Sequence, residues 1–285
     1  MTDLASARPC RPFGVEMTLD LREELSPPEQ AELKRLYDTH DLLVVHGPIL
    51  TMDDQIRVMG HLGPVLRTVD SIGEISRDSP IGLGGARLCF HSDYAYSPEP
   101  LPGISLHAID VEDEATSTRF AAGRTGWAAL DPARQAALAE LFALQVFGVD
   151  LDRRNRFSEV GHLPSTAHPL VWEHPGTGGR FLFAPEMTTD SIVGVAADRS
   201  EALIAEVFGA LYGEANVLEH RWSLGDLVIW NNVSVVHARG DCTGIERRTL
   251  QRVGIGTKGY YELYPEMAEE MATHGWSDAD GPPVG

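Results

Sequence analysis

Apolar positions along this chain follow two rhythms, one helical and one of short, strand-like runs. Ser26 ahead of Pro27 and Pro28 predicts a capped helix to about His40, and Thr51 predicts a second from Met52 to His61, stopped by Gly63 and Pro64. Asp131-Pro132 opens a third helix over 133–142, and a fourth spans 199–212, ended by Gly213. Between these lie brief apolar runs bounded by turn residues, at 42–45, 86–94, 103–109, 179–184, 226–230, 233–236 and 247–255, which read as strands. Many strands with helices at the periphery predict a mainly β domain with flanking α-helices. The expected layout is one domain over 1–268, followed by a flexible tail over 269–285. No internal repeat is visible.

Composition narrows the class without naming it. With 285 residues and 43% hydrophobic content the chain can bury a sizeable core. It contains no run of 18 apolar residues, and Met1 to Ser6 lacks a basic stretch followed by an apolar one, so neither a membrane span nor secretion is expected. Cys10, Cys89 and Cys242 lack metal-type spacing and cannot all pair, which fits a reducing cytoplasm. A formal charge of −19 argues against nucleic acid as a partner and provides no global field to draw an anion inward. Attraction of an anionic ligand must therefore be local. The expected partner is a small molecule, with association between copies of the chain left open.

The chemistry concentrates in two places. His91-Ser92-Asp93 lies in the run 86–94, where residues two apart share a face of a strand, so imidazole and carboxylate are expected to project together. His237, at the end of the apolar run that starts at Val233, is the candidate third ligand of a two-histidine, one-carboxylate metal site. A His-x-Asp alone carries little weight, because a chain with 11 histidines produces about one by chance. Arg248 and Arg252 add the missing specificity. Four apart on a return strand, they would share a face beside the metal, and buried cations need an anionic partner. A dicarboxylate cosubstrate would supply it. A zinc hydrolase can use the same three ligand types, but it has no task for the paired arginines. A non-catalytic binding barrel has no reason to keep all three ligands.

From about Asp41 to Gly256 the chain resembles the taurine dioxygenase (TauD/TfdA) family of Fe(II)/2-oxoglutarate-dependent dioxygenases. The resemblance rests on His91-x-Asp93 followed by Pro102-Gly103, on His168-Pro169-Leu170-Val171 running to His174-Pro175-Gly176-Thr177-Gly178, on Thr188-Thr189, and on Trp230-x-Asn232 to His237 with its trailing arginines. It implies a double-stranded β-helix, the cupin-like jelly roll, and a lid-type insert at about 120–180. It implies Fe(II) held by His91, Asp93 and His237, with 2-oxoglutarate as cosubstrate and O2 as oxidant. Arg248 falls where the family binds the distal carboxylate, Thr118 where a hydroxyl joins it, and Arg252 near the chelating end and the substrate. The implied outcome is hydroxylation of an unactivated C–H bond of a small, anionic organic molecule with release of succinate and CO2; desaturation, cyclisation or loss of a heteroatom group are alternatives. A carboxylate at Asp93 implies oxygenation rather than halogenation.

Tyr94, Met187 and the loop over 119–124, which lacks the usual small polar run, depart from the family pattern. Tyr94 is a bulky neighbour of the ligand pair, and Met187 stands where taurine dioxygenase itself has an aromatic residue, so taurine is not the expected substrate. The basic run Arg153, Arg154 and Arg156, with His162, reads either as a solvated loop or as part of a lid. His107, His168 and His174 are expected to be structural.

Overall fold

In the computed structural model the described residues are 7–68, 71–76 and 85–266. The expected tail over 269–285 lies outside them. The strands run β1 (Arg8–Pro9), β2 (Val15–Thr18), β3 (Leu42–His46), β4 (Ile72–Ile75), β5 (Leu88–His91), β6 (Gly103–Val111), β7 (Ser117–Ala122), β8 (Phe142–Val146), β9 (Ser165–Pro169), β10 (Val171–Glu173), β11 (Arg180–Leu182), β12 (Thr189–Ile192), β13 (Val217–Arg221), β14 (Leu227–Asn231), β15 (Val235–Arg239) and β16 (Arg248–Ile255). The helices are α1 (Pro27–His40), α2 (Met52–Gly60), α3 (Gly123–Ala128), α4 (Pro132–Leu138), α5 (Phe157–Val160), α6 (Ala197–Tyr212) and α7 (Tyr260–Leu263).

Two sheets make the barrel. A seven-stranded sheet has the order β1-β2-β3-β14-β6-β16-β4, and a four-stranded sheet has the order β13-β7-β15-β5. Their facing sides share one core, in which Val228, Trp230, Ile104, Leu106 and Leu250 meet Phe120, Ala122, Leu218 and Val235. The other side of the larger sheet carries Leu227, Ile229, Leu43, Val45, Val253 and Ile255 against Leu33 and Leu36 of α1 and Val58 and Met59 of α2. β14 is thus buried on both faces, which explains its unbroken apolar run. This is the double-stranded β-helix that the resemblance implies.

A third core belongs to the segment between β7 and β13. Leu203, Ile204, Val207 and Leu211 of α6 pack on Leu138, Ala143, Leu170, Leu182 and Ile192. The strands there form a three-stranded sheet, β12-β8-β9, and the hairpin β10-β11. The helix expected over 133–142 is shorter than its pattern. It ends at Leu138, and Phe142 to Val146 instead pair with Pro169 to Ser165, a long-range ladder that overrides local helical preference.

Alternation fixes what the barrel interior receives. Leu250 on β16 and Val235 on β15 face inward, so Arg248 and Arg252 share the inner side of β16, and His237 and Arg239 the inner side of β15. By the same parity Thr118 faces inward from β7, beside Phe120 and Ala122. Phe90 joins an outer cluster with Ala121 and Val236, which leaves its neighbour His91 on the inside.

Candidate metal centre

His91, Asp93 and His237 converge, with one ligand atom from each lying within 4.8 Å of the others. His91 is the last residue of β5 and pairs in register with His237 on β15. Their rings lie 4.1 Å apart between centroids. His91 Nδ1 donates to the Cys89 carbonyl at 2.9 Å, which turns Nε2 toward the centre as the lone-pair nitrogen. Trp230 packs behind His237 with its ring 4.8 Å away.

Asp93 reaches the centre by a route that alternation does not describe. The strand expected over 86–94 ends at His91, so Asp93 lies in the following turn, and Tyr94 takes a left-handed backbone with φ 62°. Its Oδ1 is 3.6 Å from His91 Nε2 and 3.8 Å from His237 Nε2. Its Oδ2 accepts from an Arg252 N–H at 2.5 Å.

The electrostatics suit a cation. Burial alone would raise the Asp93 carboxyl, but Arg252, followed by His237 and His91, outweighs it and holds the group down at about 2. Burial pushes His237 down to about 3, and the neighbouring His91 adds to the shift. Near neutral pH the centre therefore offers a carboxylate and a neutral imidazole, the protonation states a metal needs.

Arg248 lies buried on the same strand as Arg252, and its Nε is a buried donor with no partner among the described residues. Burial pushes its pKa down to about 10. A buried guanidinium with an unmet donor fits an incoming carboxylate. Thr118 is also buried, and its hydroxyl accepts from Trp222 Nε1 at 3.0 Å, so the O–H can still donate elsewhere. The donor set and this unmet Nε together fit Fe(II) and 2-oxoglutarate.

Arg239 escaped the sequence reading. It lies opposite Thr118 in the β15-β7 ladder, donates to the Ala86 carbonyl, and its charge contributes to the depressed pKa of Arg248. Its position two residues after His237 on one strand was the available signal. The remaining positions are less central. Met187 is buried and ties its amide to the Phe90 carbonyl, next to His91. Tyr94 belongs to an aromatic group with Tyr96, Tyr260 and, through Tyr96, Phe147 and Tyr264.

Arg154 and Arg156 pair with Glu201 on α6 and donate to the carbonyl of Asp190, while Arg153 pairs with Asp150 and Glu159. His162 is exposed. His107 and His168 are buried and bonded to backbone, and the Nδ1 of His174 accepts from the amides of Gly176 and Thr177.

The sequence pattern described as "Taurine catabolism dioxygenase TauD, TfdA family" matches residues 6–253, and the chain belongs to this family. It is 29% identical over 277 residues to the alpha-ketoglutarate-dependent 2,4-dichlorophenoxyacetate dioxygenase of Cupriavidus pinatubonensis, covering 86% of this chain and 96% of that one. It is 23% identical to the (S)-phenoxypropionate/alpha-ketoglutarate-dioxygenase of Sphingobium herbicidovorans, covering 79% and 85%. A taurine dioxygenase structure from Burkholderia xenovorans superposes with a TM-score of 0.73 at 21% identity, covering 87% and 89%. A structure of AAD-2 with Mn(II) and N-oxalylglycine gives 0.74 at 22%, covering 88% and 97%. At those identities the two structures speak for the fold. The protein is an Fe(II)- and 2-oxoglutarate-dependent oxygenase that acts on a small organic molecule. Among the described residues no helix is long and apolar enough to cross a membrane.

Proposed function

We propose that His91, Asp93 and His237 hold Fe(II), that Arg248 with Thr118 holds the distal carboxylate of 2-oxoglutarate, and that the substrate is a small anionic molecule with an apolar body. The observation that carries the reading is the convergence of three ligand atoms within 4.8 Å on a barrel whose interior also holds the unmet Nε of Arg248. Loaded with Fe(II), 2-oxoglutarate and O2, such a site supplies the oxidation of a C–H bond coupled to formation of succinate and CO2.

The chain's own residues orient and shield. Arg248 fixes the cosubstrate by a charge-assisted pair in a dry setting, so one end of a flexible dicarboxylate is immobilised. Arg252 steadies the Asp93 carboxylate, and any anionic group on the substrate competes with Asp93 for the same guanidinium. Tyr94, which follows Asp93 in the chain, packs into an aromatic wall with Tyr96 and Phe147, and the Met187 amide donates to the carbonyl of Phe90, the residue before His91. This wall, and the aromatic acids in the names of the two relatives above, support an aryl-bearing acid as the first substrate class to examine. We further propose a cytoplasmic location, in keeping with three free cysteines, and a single catalytic domain over 1–268 whose insert at about 120–180 acts as a lid.

The test is anaerobic addition of Fe(II) and 2-oxoglutarate, which should produce a weak visible charge-transfer band that is lost in His237→Ala. Succinate release is then measured across aryloxy acids, sulfonates and sulfate esters. A protein that binds zinc tightly and gives no band with Fe(II) removes the reading.

A further inference from the structure

The Trp230-x-Asn232 element has a task that the metal and cosubstrate roles leave unassigned. β5 stops at His91, so the backbone N–H and C=O of Asp93 have no ladder partner, although buried backbone groups need one. Asn232 supplies both. Its Oδ1 accepts from the Asp93 N–H at 3.1 Å, and its Nδ2 donates to the Asp93 carbonyl at 3.0 Å. Nδ2 also donates to the Leu101 carbonyl at 2.9 Å, and the Asn232 carbonyl accepts from Ser92 Oγ at 2.6 Å. The side chain has 0% exposure.

We propose that Asn232 is the positioning residue for the iron carboxylate. Its amide replaces the missing strand partner and locks the backbone of Asp93, so Oδ1 is delivered to the two imidazoles from a turn that would otherwise be free to swing. Asn232 itself lies in the separate turn that joins β14 to β15, the strand that carries His237, so one amide ties both ligand-bearing segments together. Fixing comes from the opposite side as well. Ser234 Oγ donates to Asp41 at 2.8 Å, the Asn231 N–H donates to the Asp41 carbonyl at 2.8 Å, and Arg124 Nε donates to Asp41 at 2.8 Å. Asn231 and Val233 line a groove of about 370 Å³ that includes none of the three ligands, while Asn232 between them turns toward Asp93. The amide therefore belongs to the metal side of the turn.

The inference rests on the Fe(II) reading, and its test separates the two. Metal-free wild type, Asn232→Ala, Asn232→Ser and Ser92→Ala are titrated anaerobically with Fe(II) and with Mn(II), and thermal midpoints are recorded alongside. Asn216→Ala serves as control. That residue is a buried amide bonded to the carbonyls of Ala122 and Leu211, with no bond of its own to Ser92, Asp93 or either histidine ligand. Loss of an outer partner of a ligand weakens metal binding by roughly 10- to 100-fold. Asn232→Ala and Asn232→Ser should show that loss, and Asn216→Ala should bind metal as wild type does even at a matched fall in thermal midpoint. If both Asn232 variants fail to fold, Ser92→Ala carries the test, with a loss smaller than the roughly 10- to 100-fold range expected because only the strut to the Asn232 carbonyl is gone. Wild-type affinity in a folded Asn232 variant, or in Ser92→Ala where that variant carries the test, overturns the proposal. Failure of wild type itself to bind either metal overturns the Fe(II) reading instead.

Discussion

Arg252 donates to Asp93 Oδ2 at 2.5 Å, and this contact divides the two oxygens of one carboxylate between two tasks. Oδ1 faces both imidazoles, while Oδ2 is held by the guanidinium. Oδ1 is thus the oxygen that Asp93 would offer to a metal held with His91 and His237. The same contact offsets the cost of keeping an anion buried before any metal arrives.

Replacing Arg252 by Ala should destabilise the metal-free protein by up to about 3 kcal/mol, because the partner left behind is a carboxylate only 21% exposed. Arg252→Lys should recover part of this, since a point charge keeps the attraction but loses the planar fork. Urea unfolding of the metal-free proteins measures both. A stability for Arg252→Ala equal to wild type would show that the pair contributes nothing to Asp93.

Arg248 should behave in the opposite sense. Its burial and its unmet Nε are costs carried by the protein before the cosubstrate binds. Arg248→Met should leave the metal-free protein as stable as wild type or more so, while weakening 2-oxoglutarate by about 30-fold or more, the equivalent of at least 2 kcal/mol. Isothermal titration with 2-oxoglutarate on Mn(II)-loaded protein, alongside thermal unfolding without it, reads both arms. Retained cosubstrate affinity would move the distal-carboxylate site elsewhere, with Arg239 the first alternative.

A pH effect should arise at the pairing of His46 with Asp226. Buried Asp226 accepts at 2.7 Å from His46 Nδ1 and lies 3.1 Å from His220 Nε2. The hydrogen bond to Asp226 raises the pKa of half-exposed His46, against its partial burial and with help from the charges of Asp226 and Glu16. A raised folded value means that the stabilisation is complete below the ordinary histidine value of about 6.5 and is lost as pH climbs through the raised value. Solvent screening keeps the effect below about 1 kcal/mol. The thermal midpoint of wild type should fall more between pH 6 and pH 8.5 than that of His46→Gln, whose neutral amide donates at every pH. Parallel pH profiles would remove His46 from the account.

Much of the site was legible because strand alternation is a local rule. Once 247–255 is read as a strand, Arg248 and Arg252 must share a face, and His237 with Arg239 follows the same logic. Asp93 shows where the rule stops. Its strand ends at His91, two residues before it, and what holds it in place is an asparagine 139 residues away in sequence, a contact that no periodicity announces. The basic run from Arg153 to Arg156 was ambiguous for the same reason. Its partner Glu201 lies on a helix formed much later in the chain, and nothing local to the run distinguishes a solvated loop from one already paired.

That pairing yields the last prediction. Glu201 binds both Arg154 and Arg156, and both arginines also donate to the carbonyl of Asp190, so the segment before α5 is fastened to α6 and β12. The hydrogen bond from Arg156, against partial burial and with further help from Arg154, holds the Glu201 carboxyl down at about 2. Because Glu201 is largely exposed, Glu201→Ala should cost no more than about 1 kcal/mol of global stability. Its effect should be local. Releasing two arginines at once frees the loop around 149–162, and limited proteolysis there should accelerate severalfold while the thermal midpoint moves little. If the insert serves as a lid, the same variant should weaken the substrate and leave Fe(II) and 2-oxoglutarate binding unchanged. Equal proteolysis rates in variant and wild type would mean that the backbone contacts alone hold the loop, and that Glu201 is only a surface partner.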